Sequence, residues 1–201
     1  MVDEVSGAEG TSRRTRAVVV ALALLLLVGV ALDRWQADRA RTALMATVEE
    51  CESTVTASLD SMLSLVDYAG PLLTSADVPA ASRRSALVTL SQDAARWEPR
   101  IRARERTVRE GLVLPWHGDL RAARQAYARR VVAWADFLAA VEREPEAVLG
   151  GSDGEVTRSR QQAVDALLAA GADPERVRRA LGRGVPDAGE AGALARRWPA
   201  V

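Results

Sequence analysis

The residue types that most often carry chemistry are scarce in this chain of 201 residues. It contains one cysteine, Cys51, and one histidine, His117. One cysteine excludes an intrachain disulfide and a cysteine zinc cluster. One histidine without a Glu-x-x-His pair argues against a histidine-rich metal site and a di-iron site. The sequence also lacks a P-loop with its lysine and kinase or metalloprotease motifs. We therefore expect a protein that is not an enzyme, with no catalytic residues, no metal and no cofactor.

Both single residues have a functional alternative beside the structural interpretation. His117 follows Trp116 in a proline-glycine turn. We interpret this as a turn whose Trp116 packs across the end of a helical domain, with a metal ligand, a haem ligand or a pH-sensitive contact as the alternatives for His117. Cys51 lies on an apolar helix face and is interpreted as a small buried residue. The alternative is an intermolecular disulfide between two copies outside the reducing cytoplasm.

Three larger sets of side chains could contact a ligand. The aromatic rings are interpreted as core, and alternatively as the lining of a small-molecule cavity between helices: Trp97, Trp116, Tyr127 and Trp134. A row of arginines is interpreted as a solvated, ion-paired face, and alternatively as a contact for anionic lipid headgroups or a polyanionic wall polymer: Arg96, Arg100, Arg102, Arg104, Arg106 and Arg109. Neighbouring acids point in different directions on a helix, so we expect a solvated face and not a cation site at the third set: Glu49, Glu50 and Glu52.

The first element that must position these residues is an apolar run near the N-terminus. Sixteen consecutive apolar residues extend from Ala17 through Leu24 to Leu32. A spanning helix needs about 20 residues, within a range of about 17 to 25. Trp35 is suited to the membrane interface, and flanking arginines can lengthen the span by snorkelling. We predict an uncleaved signal-anchor helix over residues 17–35; the alternative is a signal peptide cleaved near residues 29–31.

The flanking charges predict the orientation. Arg13, Arg14 and Arg16 directly precede the apolar run, so the N-terminus is expected in the cytoplasm, although arginines beyond residue 33 weaken the asymmetry. Residues 1–16 are then a cytoplasmic tail, of which Met1 to Ser12 are expected to be disordered because they are small, acidic and glycine-containing. Residues 36–182 fold outside the cytoplasm, and residues 183–201 form a flexible tail.

Apolar residues at three- and four-residue steps predict four amphipathic helices and a short fifth in the outer region. The first, about Asp33 to Ala69, is stopped by Gly70-Pro71. Its near-heptad stripe is typical of a coiled coil and could be a dimer seam: Leu44, Val48, Cys51, Val55, Leu59 and Met62. The second begins near Pro79 and runs toward Glu110, and Pro99 should kink or split it after Trp97.

The later helices are marked by their terminal residues. The third is predicted from a cap at Asp119 to about Arg143. The fourth opens with a capping box in residues 152–155 and ends at Gly171. The fifth begins with Asp173-Pro174-Glu175 and ends at Gly182.

Charge indicates which helices pair. Residues between Thr42 and Gly70 include five acids and no base, whereas residues 83–110 include eight arginines and four acids. The first two outer helices are therefore expected to form a hairpin, although exposed ion pairs contribute only about 0.2–1 kcal/mol each.

These observations predict an all-α fold: one N-terminal transmembrane helix followed by an antiparallel helical bundle. This layout is similar to that of many bacterial sensor ectodomains, an analogy of architecture alone, and we do not expect residues 1–16 to hold the cytoplasmic output domain of such sensors. An arginine- and alanine-rich chain without lysine is typical of GC-rich coding, which favours a bacterial source. Equal numbers of acidic and basic residues, 27 of each, disfavour nucleic acid as a partner.

The predicted function is a non-enzymatic, membrane-anchored interaction module outside the cytoplasm. Its expected partners are the lipid bilayer and a membrane or envelope protein, with a homodimer through the first outer helix as a further candidate. The alternative function is a sensor-like ectodomain that binds a small molecule between its tryptophan rings.

Overall fold

The computed structural model describes residues 8–75, 77–110, 115–149 and 154–182, with backbone alone for residues 8–17, 74 and 149. This part of the chain contains six helices and no strand. They are α1 (Ala8–Thr74), α2 (Ala80–Arg109), α3 (Gly118–Arg143), α4 (Pro145–Leu149), α5 (Gly154–Ala169) and α6 (Pro174–Leu181). The chain divides into an N-terminal unit, Met1–Arg39, and a C-terminal unit, Ala40–Val201.

The N-terminal unit is helical from Ala8 onward. The prediction of disorder from Met1 to Ser12 is therefore wrong for residues 8–12. Once a helix is nucleated, each further residue adds a hydrogen bond at low cost, so an apolar helix extends into polar neighbours. Within this unit the guanidinium of Arg39 lies over the Trp35 ring, 5.4 Å from its centroid.

The C-terminal unit buries the apolar stripes predicted for its helices. Every residue of the predicted α3 stripe is buried: Leu120, Ala123, Tyr127, Val131, Trp134, Leu138 and Val141. Helix α3 packs against α2, α4 and α5, and its side chains also contact α1. On α2 the stripe is buried at Leu90, Ala94, Ile101 and Val108 and partly buried at Leu87 and Trp97. The 3.6-residue period therefore identified the core faces.

Two prolines do not end helices where the sequence suggested. Helix α1 continues through Gly70-Pro71 to Thr74, because a proline in the last turn removes only one backbone hydrogen bond near a terminus. Helix α2 is not split at Pro99. Ala94 and Ile101, on either side of this proline, are fully buried, and their packing stabilises the helix across the missing hydrogen bond.

The helix starts are partly as predicted. Asp119 is not the cap of α3: the helix begins at Gly118, His117 occupies the cap position without a side-chain hydrogen bond, and Asp119 lies in the first turn. Asp173 does cap α6, since its Oδ1 accepts a hydrogen bond of 2.8 Å from the Glu175 backbone N–H. The capping box of α5 and the tail after Gly182 lie outside the described residues.

The predicted end of α5 at Gly171 is confirmed by its backbone. The N–H of Ala172 donates to the carbonyl of Leu167 at 3.0 Å, and the N–H of Gly171 donates to that of Leu168 at 2.9 Å. This pair of bonds is the Schellman arrangement, which requires a left-handed residue. Gly171 supplies it with φ 75°.

Candidate functional site

The apolar run is the first candidate site. It belongs to the one helix in the described part of the chain that is long and apolar enough to cross a membrane. Its side chains are exposed, with 57% of Leu24, 71% of Leu26 and 54% of Leu32 accessible, while the side chain of Ala17 lies outside the described part. Water would solvate this surface poorly, because each apolar Å² left exposed forgoes about 25 cal/mol.

A second feature is a buried polar cluster between α1 and α3. Arg130 is 0% exposed and Glu52 is 5% exposed. Arg130 Nη2 lies 3.7 Å from Glu52 Oε2, and the Tyr127 hydroxyl lies 3.1 Å from Glu52 Oε1 and 3.2 Å from the Val48 carbonyl oxygen. Burial, with the charge of Glu52 as the next contribution, raises the pKa of Tyr127 well above its ordinary value, so the phenol stays protonated and acts as a donor.

The cluster continues one helical turn further along. Trp134 Nε1–H donates to Ser58 Oγ at 2.9 Å, and Ser58 Oγ–H donates to the carbonyl of Val55 at 2.7 Å. The guanidinium of Arg130 lies 5.7 Å from the centroid of the Trp134 ring. These hydrogen bonds use the polar groups of Tyr127, Trp134 and Ser58 and join α1 to α3, which is a structural role.

This cluster corrects the expectation for the acids of α1. Glu49 and Glu50 are exposed, as predicted, and form ion pairs with Arg176 and Arg104. The hydrogen bond from Arg176 lowers the pKa of Glu49. Glu52 is buried, because it lies one residue after Cys51 and four after Val48 on the stripe. Arg130 lies on the otherwise apolar stripe of α3. A charged residue at such a position was the sequence signal that could have revealed a buried partner for Glu52. The expected pairing of α1 with α2 therefore holds for Glu50 alone among these three acids.

The proposed dimer seam lies in the core of the single chain. All six of its residues are at most 5% exposed: Leu44, Val48, Cys51, Val55, Leu59 and Met62. Burial raises the pKa of the Cys51 thiol to about 11, and the nearby guanidinium of Arg104 offsets only part of this effect. A thiolate is needed for disulfide chemistry. Pairing two copies through this stripe or through Cys51 would therefore require the core to open.

The four rings of the proposed ligand cavity are not brought together. Tyr127 and Trp134 are fully buried, and the Trp134 ring stacks on Phe137 at 5.2 Å. Trp97 lies under the guanidinium groups of Arg96 and Arg100, at 5.9 and 5.1 Å. Trp116 is 67% exposed, so it does not pack across the end of the domain as expected.

The remaining candidates, His117 and the arginine row of α2, contact other side chains of the chain. The rings of His117 and Trp116 meet edge to face at 6.1 Å. Among the described residues, no group of three or more His, Cys, Asp or Glu side chains is placed to hold a metal ion. The arginine row of α2 is largely engaged: Arg102 binds Glu98 and Asp136, Arg104 binds Glu50, and Arg109 binds Glu105.

A depression of about 420 Å³ between the end of α2 and the start of α3 was not anticipated. We name it the arginine pocket; it is lined by Arg109, Arg121, Arg124, Gln125, Ala128 and Arg129. The five α3 residues lie at helical spacings of three and four, so they share one face. Buried Ala128 is the smallest of the lining side chains and leaves room between the longer ones. The apolar spacing of α3 predicted its buried stripe but not this neighbouring basic face.

Comparison with protein-family models, with curated proteins and with solved structures finds no match to this chain.

Proposed function

We propose that this chain is a single-pass membrane protein whose C-terminal unit is a non-enzymatic interaction module outside the cytoplasm. The observation that carries the proposal is the contrast between two stretches of α1. Side chains such as Leu25 and Leu26 are 68% and 71% exposed, whereas Val48 and Met62 are 0% exposed. A soluble protein would bury both stretches, so the exposed one is best explained by lipid.

Contacts within the C-terminal unit support an antiparallel bundle. Glu50 meets Arg104 and Ser61 meets Asp93, so residue numbers rise along α1 as they fall along α2. Tyr127 meets Val48 and Trp134 meets Ser58, so α3 runs in the same direction as α1. This up-down-up order is that of a bundle with short connections.

The polar chemistry of the unit favours binding over catalysis. Its buried polar cluster holds α1 against α3, and several of its charged side chains form exposed ion pairs. Because the apolar stripe of α1 is covered within the chain, the surface offered to a membrane or envelope protein is the charged outer face of the helices. Exposed charges steer association and select partners more than they add affinity.

Membrane insertion is tested first by fractionation and reporter fusions. Arginine at the centre of a spanning helix costs about 2.5–3.5 kcal/mol, so Leu24→Arg should shift the full-length protein out of the carbonate-resistant membrane fraction. Leu168→Arg is the matched control, since Leu168 is an exposed leucine of α5. A reporter fused after Val201 should be active outside the cytoplasm; activity in the cytoplasm, or equal behaviour of both variants, would refute the proposal.

The interaction role is tested by capture from native membranes. The full-length protein should co-purify a defined membrane or envelope protein after crosslinking, identified by mass spectrometry. Crosslinked species that contain only this chain, with Cys51→Ser unchanged, would indicate self-association through another surface. Recovery of the uncrosslinked monomer alone would argue against an interaction module.

A further inference from the structure

The charge of the arginine pocket is unbalanced. Its lining contains four guanidinium groups and no carboxylate. Arg109 Nη2 lies 2.7 Å from Glu105, which neutralises one of the four charges. Arg121 donates to the carbonyl oxygen of Pro115, a neutral acceptor. Cations that line one depression repel each other, so the arrangement is less favourable without an anion than with one.

Arg124 shows the cost most clearly. Its Nε is buried and has no hydrogen-bond partner within the described ranges. Burial lowers the pKa of Arg124, and no carboxylate of the described residues offsets this effect. A partly desolvated cation lacking a counter-charge is a group that gains from binding an anion.

The helix dipole does not account for the arginine at the start of α3. Arg121 is the fourth residue of α3, in its first turn. The partial positive charge of a helix N-terminus disfavours cations there and favours anions. Arg109 is different, because it lies in the last turn of α2, where a base is favourable. Arg121 is therefore placed where the helix field disfavours a cation, and an oxyanion beside it would be favoured there.

We propose that the arginine pocket binds a phosphate group. Arginine forks match the oxygens of phosphate in two-point hydrogen bonds, and several forks converging on one depression suit a single tetrahedral anion. This site goes beyond the proposed function and differs from the ring cavity considered from the sequence. It depends only on the packing of α2 against α3.

The phosphate can come from a lipid headgroup or from a soluble ligand. Within the C-terminal unit, Arg104 meets Glu50 and Tyr127 meets Val48, so the pocket lies toward the end where residue 40 begins. A phosphate from either source offers the same oxygens to the arginine forks.

The test titrates inorganic phosphate into the full-length protein in phosphatidylcholine nanodiscs, with calorimetry as the readout. We expect saturable binding that Arg124→Gln and Arg129→Gln each weaken by at least about tenfold. Arg158→Gln is the matched control, since it removes the same charge from an exposed arginine paired with Glu155; it should change affinity by less than about twofold. Circular dichroism of each variant checks that it is folded, and two pocket variants keep the test valid if one of them misfolds.

A second arm distinguishes the sources. The titration is repeated in nanodiscs of equimolar phosphatidylcholine and phosphatidylglycerol, and the melting temperature is measured in both lipids. Equal phosphate binding in both indicates a soluble ligand. Phosphate binding weakened by phosphatidylglycerol, or thermal stabilisation by phosphatidylglycerol that Arg124→Gln removes, indicates a lipid headgroup. The proposal is overturned if neither phosphate nor phosphatidylglycerol has an effect that depends on Arg124 or Arg129, or if Arg158→Gln weakens binding equally.

Discussion

Replacing Arg130 by methionine should destabilise the C-terminal unit by about 3–5 kcal/mol. The substitution keeps an unbranched apolar stem next to Trp134 and removes the charge that faces Glu52. The two side chains are 0% and 6% exposed, with 3.7 Å between Nη2 and Oε2. At that separation the attraction is about 4 kcal/mol for an effective dielectric constant of about 20. The loss removes the guanidinium that faces the buried Glu52, which also contacts the neutral hydroxyl of Tyr127.

The assay is thermal unfolding of the full-length protein in neutral detergent, followed by circular dichroism. A change of about 3–5 kcal/mol corresponds to a fall in Tm of about 6–20 °C for a chain of this size. Arg104→Met is the matched control, because Arg104 and Glu50 form an exposed pair with 34% and 60% of the side chains accessible. That variant should lose less than about 1 kcal/mol.

A double variant separates charge from packing. Glu52→Leu/Arg130→Met should be more stable than Arg130→Met alone, because it buries neither member of the ion pair. Equal losses for Arg130→Met and Arg104→Met, or additive losses in the double variant, would refute this reasoning.

Three other outcomes follow from the same contacts. Burial raises the pKa of the Cys51 thiol to about 11, so a maleimide should label it slowly in the folded protein up to strongly alkaline pH and rapidly in denaturant. Rapid labelling of the folded protein at neutral pH would contradict its burial. Trp134→Phe should lower the free energy of unfolding by about 1–3 kcal/mol, because it removes the indole N–H that donates to Ser58. The exposed control Trp116→Phe should change it by less than about 0.5 kcal/mol. Equal losses would show that the buried hydrogen bond does not contribute to stability. Asp173→Ala should cost about 1 kcal/mol by removing the cap of α6, and a variant as stable as the parent would show that the cap contributes nothing.

Local pattern predicted most of the helical fold. The apolar positions of α3, from Leu120 to Val141, are all buried as their spacing indicated. The Asp173 cap and the Gly171 end were also readable, because both depend on one residue and its immediate backbone. The prediction that Pro99 could split α2 was wrong because it considered only the local sequence. Packing of Ala94 and Ile101 against the rest of the fold outweighs the hydrogen bond lost at Pro99.

The candidate sites were predictable only in part. The apolar run from Ala17 to Leu32 is a local property of composition, so the sequence alone identified it. The burial of Glu52 was not predictable from its neighbours, since it depends on an arginine that lies 78 residues further along the chain and on Tyr127 beside it. The convergence of Arg109 with the arginines of α3 is likewise a result of helix packing.

The amino-acid sequence by itself determined that this protein is helical, that one segment is long and apolar enough to span a membrane, and which faces of α1 and α3 turn inward in the C-terminal unit. These properties follow from the period of the helix and from the cost of hydrating apolar side chains, both of which act locally. The tertiary structure alone decided which charges are buried together and which gather around the arginine pocket. Electrostatic partners are chosen by distance in space, and spacing along a single helix carries no information about the helix packed beside it.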